Sequence, residues 1–497
     1  MNFSPVDWII MIVYLSITVY VGIWVKRYVQ NLSGYIVAGR KIKASLGIAS
    51  FTATELGTVT FVYFGELGYV TGFSSFIIGI LALIAYTTVG KTGFIIEKLR
   101  EYGMMTIPQF YELRYNKNVR IVGGLILFIG GVLNMGIFLK FDGIFLSEVM
   151  GFGPQALGFI MTLMLIVVMS YTILGGMFSV VITDFMQYVV LSFAMLATTI
   201  IVLLEVDLTT ISDAVTAGLG DGGVNPLVND RFGWSFIIWI LVTNVAAAAL
   251  WQPGTSKALA SKSPEVAKKV FWVTGLTFAG RAMIPMFWGV AAFAYFGSGQ
   301  DSASAMPMLL GELVPVGLLG LLVAGLLAAS MSTYSSYVLA WSSVLTLDVI
   351  SKFKKGGFDE KRTIRITQFI SGLIGIFLLV FGLWYQIPET AFQYIFITGT
   401  MYTAGALGTV SAGLYWKKAN NIGAMCALLL GALVPACFLV LENYADVLPS
   451  WMSFVTDVNV AGFLSFILAA LGMIFGSLLT QKSNPAKIIK EEEVQYV

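Results

Sequence analysis

Apolar residues occur along this chain in long blocks, each bounded by short polar segments. Most blocks contain about 20 residues or more, which is the length an α-helix needs to cross a bilayer. The pattern therefore predicts an all-α integral membrane protein with thirteen transmembrane helices. We place these spans at residues 7–25, 45–69, 72–96, 119–149, 154–174, 181–205, 233–252, 270–297, 315–347, 364–384, 389–415, 421–441 and 460–480.

The composition agrees with this pattern. Of the 497 residues, 58% are hydrophobic and only 11% are charged, whereas soluble proteins carry roughly 25% charged residues. We therefore expect a multi-pass protein of the cell's inner (plasma) membrane, with the lipid bilayer as its main surroundings.

Basic residues are segregated to one set of connections. All Lys and Arg except Lys140, Arg231 and Arg281 lie in or next to that set, which comprises 26–44, 97–120, 253–269, 348–363, 416–420 and the segment after 480. The opposite set includes the acidic connection 206–232. Since cytoplasmic loops carry an excess of Lys and Arg, we expect the N-terminus outside and the C-terminus inside. An odd number of spans agrees with this arrangement.

Several classes of function are disfavoured by the residue types. The chain has no histidine, which removes the commonest metal ligand and acid–base group. It contains no HExxH, CxxC or nucleophile-elbow motif, so we do not expect an enzyme. With a net charge of only +2, nucleic-acid binding is not expected, and no obligate protein partner is implied. Transport remains, or solute sensing on a transporter fold.

Hydroxyl side chains are concentrated in the ninth span, in LAASMSTYSSYVLAWSS at 327–343. Positions 329, 332, 333 and 336 share one helix face. Oxygen atoms are the ligands that hard cations such as sodium prefer. The alternative is that small polar residues allow helices to pack closely and hydrogen-bond.

Five ionisable residues interrupt the apolar spans: Glu55, Lys140, Asp142, Asp184 and Arg281. Such residues are costly in a bilayer unless they face a partner or a cavity. Asp184 is the acid best suited to join the hydroxyls of the ninth span, whereas we interpret Lys140 and Arg281 as members of structural ion pairs. Lys140 would close toward Asp142 or a neighbouring span, and Arg281 toward an acid that the sequence does not identify.

Glu55 lies in SFTATELGTVTFVYFGELGY, residues 50–69, where threonines and a glycine occupy the middle of the second span. These residues favour an interrupted transmembrane helix. The carbonyl groups freed at such a break are able to face a cavity and bind an ion.

Three segments resemble the solute:sodium symporter family, whose bacterial members include proline, sugar and sialic acid importers. They are ILGGMFSVVITDFMQ at 173–187, GLLVAGLLAASMSTYSSYVLAWSSVLTLDVI at 320–350 and TIPQFYELRY at 106–115. The resemblance covers nearly the whole chain.

The resemblance implies one transporter domain, 1–497, with a LeuT-type core of five spans and five inverted spans. Spans two to six (45–205) would form the first repeat and spans seven to eleven (233–415) the second. The N-terminal helix 7–25 and two peripheral helices in 421–480 would be additions.

The resemblance also implies where sodium binds. A first site would use the backbone carbonyls of Ala53, Leu56 and Ala329 and the hydroxyls of Ser332 and Thr333. A second site, present in some family members, would use Asp184, Ser332, Ser335 and Ser336.

The same comparison implies a solute site near the middle of the membrane. Its candidate residues are Glu55, Gly57, Thr58, Asn134, Asn244, Trp251, Gln393 and Tyr394. Proline symporters resemble this chain in having an acid at the position of Glu55, whereas sugar-type members have a neutral amide there. An ionised carboxylate attracts a cationic amine through Coulomb attraction in a low-dielectric cavity.

We therefore expect a sodium-coupled symporter that imports a small organic solute by alternating access, with an amino acid or another amine-bearing solute favoured. The alternatives are a sodium-coupled monocarboxylate or sugar symporter, a proton-coupled carrier that uses Glu55, and a transporter-like solute sensor.

Overall fold

A computed structural model shows an all-helical protein. It describes residues 3–149, 154–385, 391–442, 444, 449 and 456–489, apart from the side chains of residues 58, 59, 147–149, 154 and 391–393. The helices of this part are α1 (Pro5–Trp24), α2 (Leu32–Val37), α3 (Ala44–Thr54), α4 (Thr58–Thr71), α5 (Ile77–Thr92), α6 (Ile96–Glu101), α7 (Ile107–Arg114), α8 (Lys117–Gly136), α9 (Phe138–Val149), α10 (Leu157–Glu205), α11 (Leu208–Leu219), α12 (Gly233–Leu250), α13 (Gln252–Leu259), α14 (Pro264–Phe296), α15 (Ser302–Leu313), α16 (Leu318–Val344), α17 (Glu360–Trp384), α18 (Ala391–Tyr415), α19 (Asn421–Leu441) and α20 (Val458–Leu479).

The predicted apolar blocks form helices. Ten helical stretches of the described residues are long and apolar enough to cross a membrane, which confirms the prediction of an all-α, multi-pass membrane fold. The count of thirteen spans, the orientation of the termini and the division into inverted repeats stay predictions.

Two of the predicted spans are interrupted. The second consists of α3 and α4, separated by Glu55, Leu56 and Gly57, as the threonines and glycine of this segment predict. The seventh span ends at Leu250, and after Trp251 in an extended conformation (φ −78°, ψ 109°) the chain continues as α13. In both cases backbone groups are released from helical hydrogen bonding in the interior of the protein.

The fifth and sixth spans, contained in α10, are joined by a sharp turn at Gly176. This glycine has φ 50° and ψ −147°, a conformation that side chains disfavour. A Cβ placed on Gly22 would lie 2.9 Å from Tyr171 and 3.2 Å from Thr183. Twelve residues of straight helix would span roughly 18 Å, so the chain doubles back between these two residues.

Helix α16 lies at the centre of the bundle. Every residue from Leu322 to Val344 is buried, and the helix packs against α1, α3, α8, α10, α13 and α17. Large apolar side chains are instead exposed on outer helices, for example Ile9 of α1, Phe193 of α10 and Phe369 of α17. This distribution is expected of a bundle whose rim faces lipid and whose centre carries the polar groups.

Two connections differ from the sequence prediction. The acidic connection 206–232 contains helix α11. The basic connection 253–269 begins with α13, in which every residue from Gln252 to Leu259 is buried. The basic residue Lys257 therefore lies inside the protein, although its position in a polar segment suggested a cytoplasmic loop.

A buried ion pair and the start of the segment TIPQFYELRY meet just beyond the end of α16. Arg120 Nε donates to Asp348 Oδ1 at 2.7 Å, and Thr106 Oγ1 donates to the same oxygen at 3.0 Å. The Ile107 amide donates to Gln252 Oε1 at 2.9 Å. These contacts connect α7 and α8 to the end of α16 and to the start of α13.

We expect Arg120→Met to destabilise the protein by about 3–5 kcal/mol, because it leaves the Asp348 carboxylate buried without its cationic partner. Thermal unfolding of the purified protein measures this. Lys98→Met, which removes the exposed pair of Lys98 with Glu101, is the control and is expected to cost less than about 1 kcal/mol. Equal effects of the two substitutions would contradict the assignment.

Helices α4 and α14 approach through glycines. A Cβ on Gly289 would lie 1.8 Å from the carbonyl oxygen of Gly65, and one on Gly68 would lie 2.0 Å from that of Met286. Small residues at such positions allow two helix backbones to touch.

We expect Gly289→Ala to destabilise the protein by about 3 kcal/mol or more, because the methyl group meets rigid backbone. Gly280→Ala on the same helix is a matched control, since nothing lies within 4 Å of its Cβ position. Alanine there favours the helix by about 0.5–1 kcal/mol. Thermal unfolding of the two variants should therefore shift in opposite directions, and a stable Gly289→Ala protein would contradict this packing.

Candidate functional site

The break between α3 and α4 lies directly against α16. Thr54 Oγ1 and Ser336 Oγ are 2.9 Å apart, and both residues are buried. One helical turn away, Thr333 Oγ1 lies 3.4 Å from the Cβ position of Gly57. The hydroxyl-rich face of α16 therefore meets the interrupted helix, as the sequence suggested.

The structure places the residues of the predicted first sodium site at this junction. Ser332 and Thr333 are buried, and Thr333 Oγ1 donates to the carbonyl of Ala329 at 3.2 Å. The Ala53 carbonyl accepts from the amide of Leu56 at 3.3 Å, which closes the last turn of α3. The set consists of neutral oxygen donors, the type that suits sodium. Their role stays a prediction.

The residues of the predicted second site lie next to a buried lysine, Lys257. Asp184 accepts hydrogen bonds from Ser332 Oγ at 2.5 Å and from the Ser50 hydroxyl. Lys257 Nζ lies 3.3 Å from Asp184 Oδ2 and donates to Ser336 Oγ at 3.0 Å. We call these five residues the Asp184 cluster. Ser335, the remaining member of the predicted set, donates to the Ser332 carbonyl at 3.0 Å.

A cavity of about 170 Å³ adjoins the α3–α4 break. Its walls come from both interrupted helices and from α5, α8, α9, α14, α16 and α18. Of the predicted solute-site residues, it is lined by Glu55, Gly57, Asn134, Asn244 and Trp251. These positions are far apart in sequence, and the fold brings them to one place.

Arg281 of α14 lines the same cavity as Glu55. Its guanidinium carbon lies 3.8 Å from the centre of the Phe278 ring. Within the part of the chain that the structure describes, no hydrogen bond reaches Glu55 Oε1 or Arg281 Nε and Nη1, although all three atoms are buried. The cavity therefore presents a carboxylate and a guanidinium that each retain unused hydrogen-bonding atoms.

A chain of hydrogen bonds connects the two helix breaks through α16. Trp251 Nε1 donates to the Tyr337 hydroxyl at 2.9 Å, and that hydroxyl donates to Glu55 Oε2 at 3.3 Å. These bonds hold one Glu55 oxygen in place, while Oε1 has no hydrogen-bond partner among the described residues.

The two asparagines differ in how they are held. Asn134 Nδ2 donates to the Ile395 carbonyl at 2.7 Å and to Thr398 Oγ1 at 3.0 Å, whereas Asn244 Nδ2 donates to the Ile240 carbonyl of its own helix at 2.9 Å.

Tyr394, another predicted solute residue, is not among the described residues that line the cavity. The Tyr394 hydroxyl donates to the Leu133 carbonyl at 2.8 Å rather than toward the cavity. The side chains of Thr58 and Gln393 lie outside the described residues.

Lys140 and Asp142 have separate partners. Lys140 Nζ donates to the Tyr385 carbonyl at the end of α17, which is the alternative in which this side chain turns to a neighbouring span. Asp142 accepts from Ser330 Oγ at 2.8 Å and from the Tyr334 hydroxyl. Both arrangements anchor α9 to its neighbours.

Sequence reasoning named Arg281 without locating it and overlooked Lys257. Arg281 was interpreted as a structural ion-pair residue, but in the described structure it has no acidic partner within ion-pair distance and lines the cavity. Lys257 follows Gln252-Pro253 within a segment rich in small residues, QPGTSKALA. Small residues allow helices to pack closely, and their number in this segment was the indication in the sequence that Lys257 lies inside the protein.

Comparison with known proteins places the chain in a family. The family model described as "Sodium:solute symporter family" matches residues 35–218 and 268–431, well over half of the chain. The chain belongs to the sodium:solute symporter family. This confirms the resemblance seen in the sequence, and it identifies a multi-pass membrane transporter rather than an enzyme.

Two curated relatives illustrate the family. The symporter is 22% identical over 456 residues to the sodium/sialic acid symporter SiaT of Proteus mirabilis, covering 87% of this chain and 89% of SiaT. It is 25% identical over 464 residues to the sodium/glucose cotransporter of Vibrio parahaemolyticus, covering 85% and 83% of the two chains. Amino acid transport is not what either relative is named for.

A solved structure supports the fold. The substrate-bound, outward-open state of a sodium-coupled sialic acid symporter superimposes with a TM-score of 0.80 at 19% identity, covering 96% of this chain and 98% of the other. At this identity the likeness establishes the fold, and the substrate of the symporter has to be argued from its own cavity.

Proposed function

We propose that this symporter couples the entry of sodium to the import of a small organic solute that carries a cationic amine and an anionic group. The observation that carries the proposal is the cavity in which Glu55 and Arg281 present unused hydrogen-bonding atoms. A zwitterionic solute, such as an amino acid, would satisfy both.

The energetic argument is one of compensation. A buried charge that lacks a partner is unfavourable, and a hydrogen bond to a charged group contributes about 1.5–3 kcal/mol. A solute whose ammonium group meets Glu55 and whose carboxylate meets Arg281 would gain both contributions. The aromatic side chains of Trp251, Tyr337 and Phe278 would surround the rest of the solute.

Sodium would bind at the junction of α3, α4 and α16. The proposed ligands are the Ala53, Leu56 and Ala329 carbonyls and the Ser332 and Thr333 hydroxyls. An ion there would connect the interrupted helix to α16. It would lie beside the cavity, because Gly57 belongs to the α3–α4 break and also lines the cavity. Coupling requires that sodium binds the outward-open state more tightly than the inward-open state, because an ion that binds both equally shifts nothing.

A second candidate solute is an acidic or neutral sugar, in line with the names of the two relatives. Asn134 and Asn244 would supply hydrogen bonds to hydroxyl groups, and Arg281 would hold a carboxylate. The Glu55 carboxylate has no cationic counterpart in such a solute, so we place the zwitterion first. A monocarboxylate meets the same objection. Proton coupling through Glu55 remains the alternative to sodium coupling.

We expect Thr333→Val to raise the sodium concentration that gives half-maximal solute uptake by about tenfold or more, because a methyl group of the same shape replaces one oxygen ligand. Tenfold corresponds to about 1.4 kcal/mol. Uptake into proteoliposomes, measured against sodium concentration at fixed pH with potassium as replacement, tests this.

Thr333→Ser keeps the hydroxyl and is the matched control, for which near-normal sodium dependence is expected. Uptake by the native protein that proceeds equally well in potassium and follows the proton gradient would instead support the proton-coupled alternative.

The charge pair predicts a specific pattern of ligand binding. We expect amino acids to raise the thermal stability of the purified symporter in sodium, and the corresponding amines and carboxylic acids, each lacking one charge, to raise it much less. Glu55→Gln and Arg281→Gln should each weaken amino acid binding by about 10- to 100-fold, the equivalent of losing a charge-assisted hydrogen bond.

Glu66→Gln is the control on the same interrupted span, since Glu66 accepts from Ser302 Oγ at 3.0 Å and does not line the cavity. A sugar that stabilises the native protein and both cavity variants equally would contradict the zwitterion proposal.

A further inference from the structure

Lys257 is a fully buried lysine at the centre of the bundle. It lies on α13, six residues after the break at Trp251, and its relative exposure is 0%. The proposed sodium and solute sites do not use it. A lysine in such a position is costly unless its ammonium group is compensated, so its surroundings indicate what it does.

The compensation comes from the Asp184 cluster. The Lys257 ammonium is 3.3 Å from Asp184 Oδ2 and 3.0 Å from Ser336 Oγ. The carboxylate also accepts from Ser332 Oγ and from the Ser50 hydroxyl. The ammonium thus contacts a carboxylate of α10 and a hydroxyl oxygen of α16, and the same carboxylate accepts from hydroxyl groups of α3 and α16. A carboxylate and hydroxyl oxygens are also the groups that bind a small monovalent cation.

These atoms overlap the ligand set predicted for a second sodium ion. Asp184, Ser332 and Ser336 belong to both. A sodium ion among them would lie within a few ångströms of the ammonium group, where like charges repel strongly at low dielectric. The residues therefore do not fit a second sodium ion while Lys257 occupies this position.

We propose that the Lys257 ammonium is the resident cation of the Asp184 cluster and excludes a second sodium ion from it. The symporter then binds one sodium ion, at the α3–α4–α16 junction. This inference deepens the proposed function by setting the number of ions, but the exclusion by Lys257 is testable even if that first site is wrong.

The covalent attachment of the Lys257 ammonium to α13 has a mechanical consequence. An ion that connects two helices separates from them when it dissociates, whereas Lys257 stays attached to α13. As long as the Lys257–Asp184 pair is intact, it holds α13 to α10 and α16. Unlike a transported sodium ion, the Lys257 ammonium does not leave the protein.

The test is a count of bound sodium. Equilibrium dialysis of the purified full-length protein against radioactive sodium gives ions per chain, and the sodium dependence of thermal stability gives an independent readout, since a ligand bound only to the folded state raises stability with its concentration. We expect one ion for the native protein and one for Asp184→Asn.

Lys257→Met, of similar length and without charge, leaves the Asp184 carboxylate with its hydroxyl partners and no cation. It is expected to bind two sodium ions and to show a steeper gain of stability with sodium. The double variant Lys257→Met with Asp184→Asn should return to one ion, and Lys257→Arg, which keeps the charge, should stay at one.

Two results would overturn the inference. Two ions in the native protein that fall to one in Asp184→Asn would show that sodium occupies the cluster despite Lys257. No additional ion in a folded Lys257→Met protein would show that the cluster does not act as a cation site. If Lys257→Met does not fold, the comparison of the native protein with Asp184→Asn still decides whether sodium occupies the cluster.

The first sodium site is judged separately by Thr333→Val, which should bind that ion about tenfold more weakly or worse. No sodium on the native protein, with one gained by Lys257→Met, would refute the proposed first site and still support exclusion by Lys257.

Discussion

Charged side chains inside an apolar helix bundle must be compensated by the protein, because lipid supplies neither counter-ions nor hydrogen bonds. Around α16 the compensation takes several forms. Asp348 pairs with Arg120, Asp184 pairs with Lys257, and Asp142 accepts from Ser330 and Tyr334. Glu55 and Arg281 line the cavity and, among the described residues, retain buried hydrogen-bonding atoms without a partner. The two ion pairs hold helices together, whereas we propose that Glu55 and Arg281 serve a solute.

The interrupted helices make this separation possible. A continuous helix would consume its backbone groups internally and present only side chains. At Glu55–Gly57 and at Trp251 the chain leaves the helix, and the two breaks are connected by the hydrogen bonds from Trp251 to Tyr337 and from Tyr337 to Glu55. A movement at either break therefore alters the hydrogen bonds of Tyr337 on α16 and of Glu55 at the cavity. Coupling between an ion and a solute requires such a connection.

Several features could be predicted from particular residues. The threonines and glycine around Glu55 indicated the break between α3 and α4. The predicted end of the fifth span at residue 174 and start of the sixth at residue 181 bracket the turn found at Gly176. The hydroxyl groups of Thr333 and Ser336 indicated the face of α16 that meets the α3–α4 break. These features depend on local chemistry: helix propensity, the left-handed conformation of glycine, and the cost of placing polar groups in lipid.

The sequence by itself determined the membrane-spanning helical architecture, the family and the segments that contain polar groups, because each follows from residues close together in the chain. Only the tertiary structure decided which charged groups face each other. Lys257 lies 73 residues from Asp184 along the chain, and Arg281 shares a cavity with Glu55 of a distant helix. Such pairings depend on how α13 and α14 pack against α3, α10 and α16. The residues next to Lys257 or Arg281 along the chain do not specify that packing.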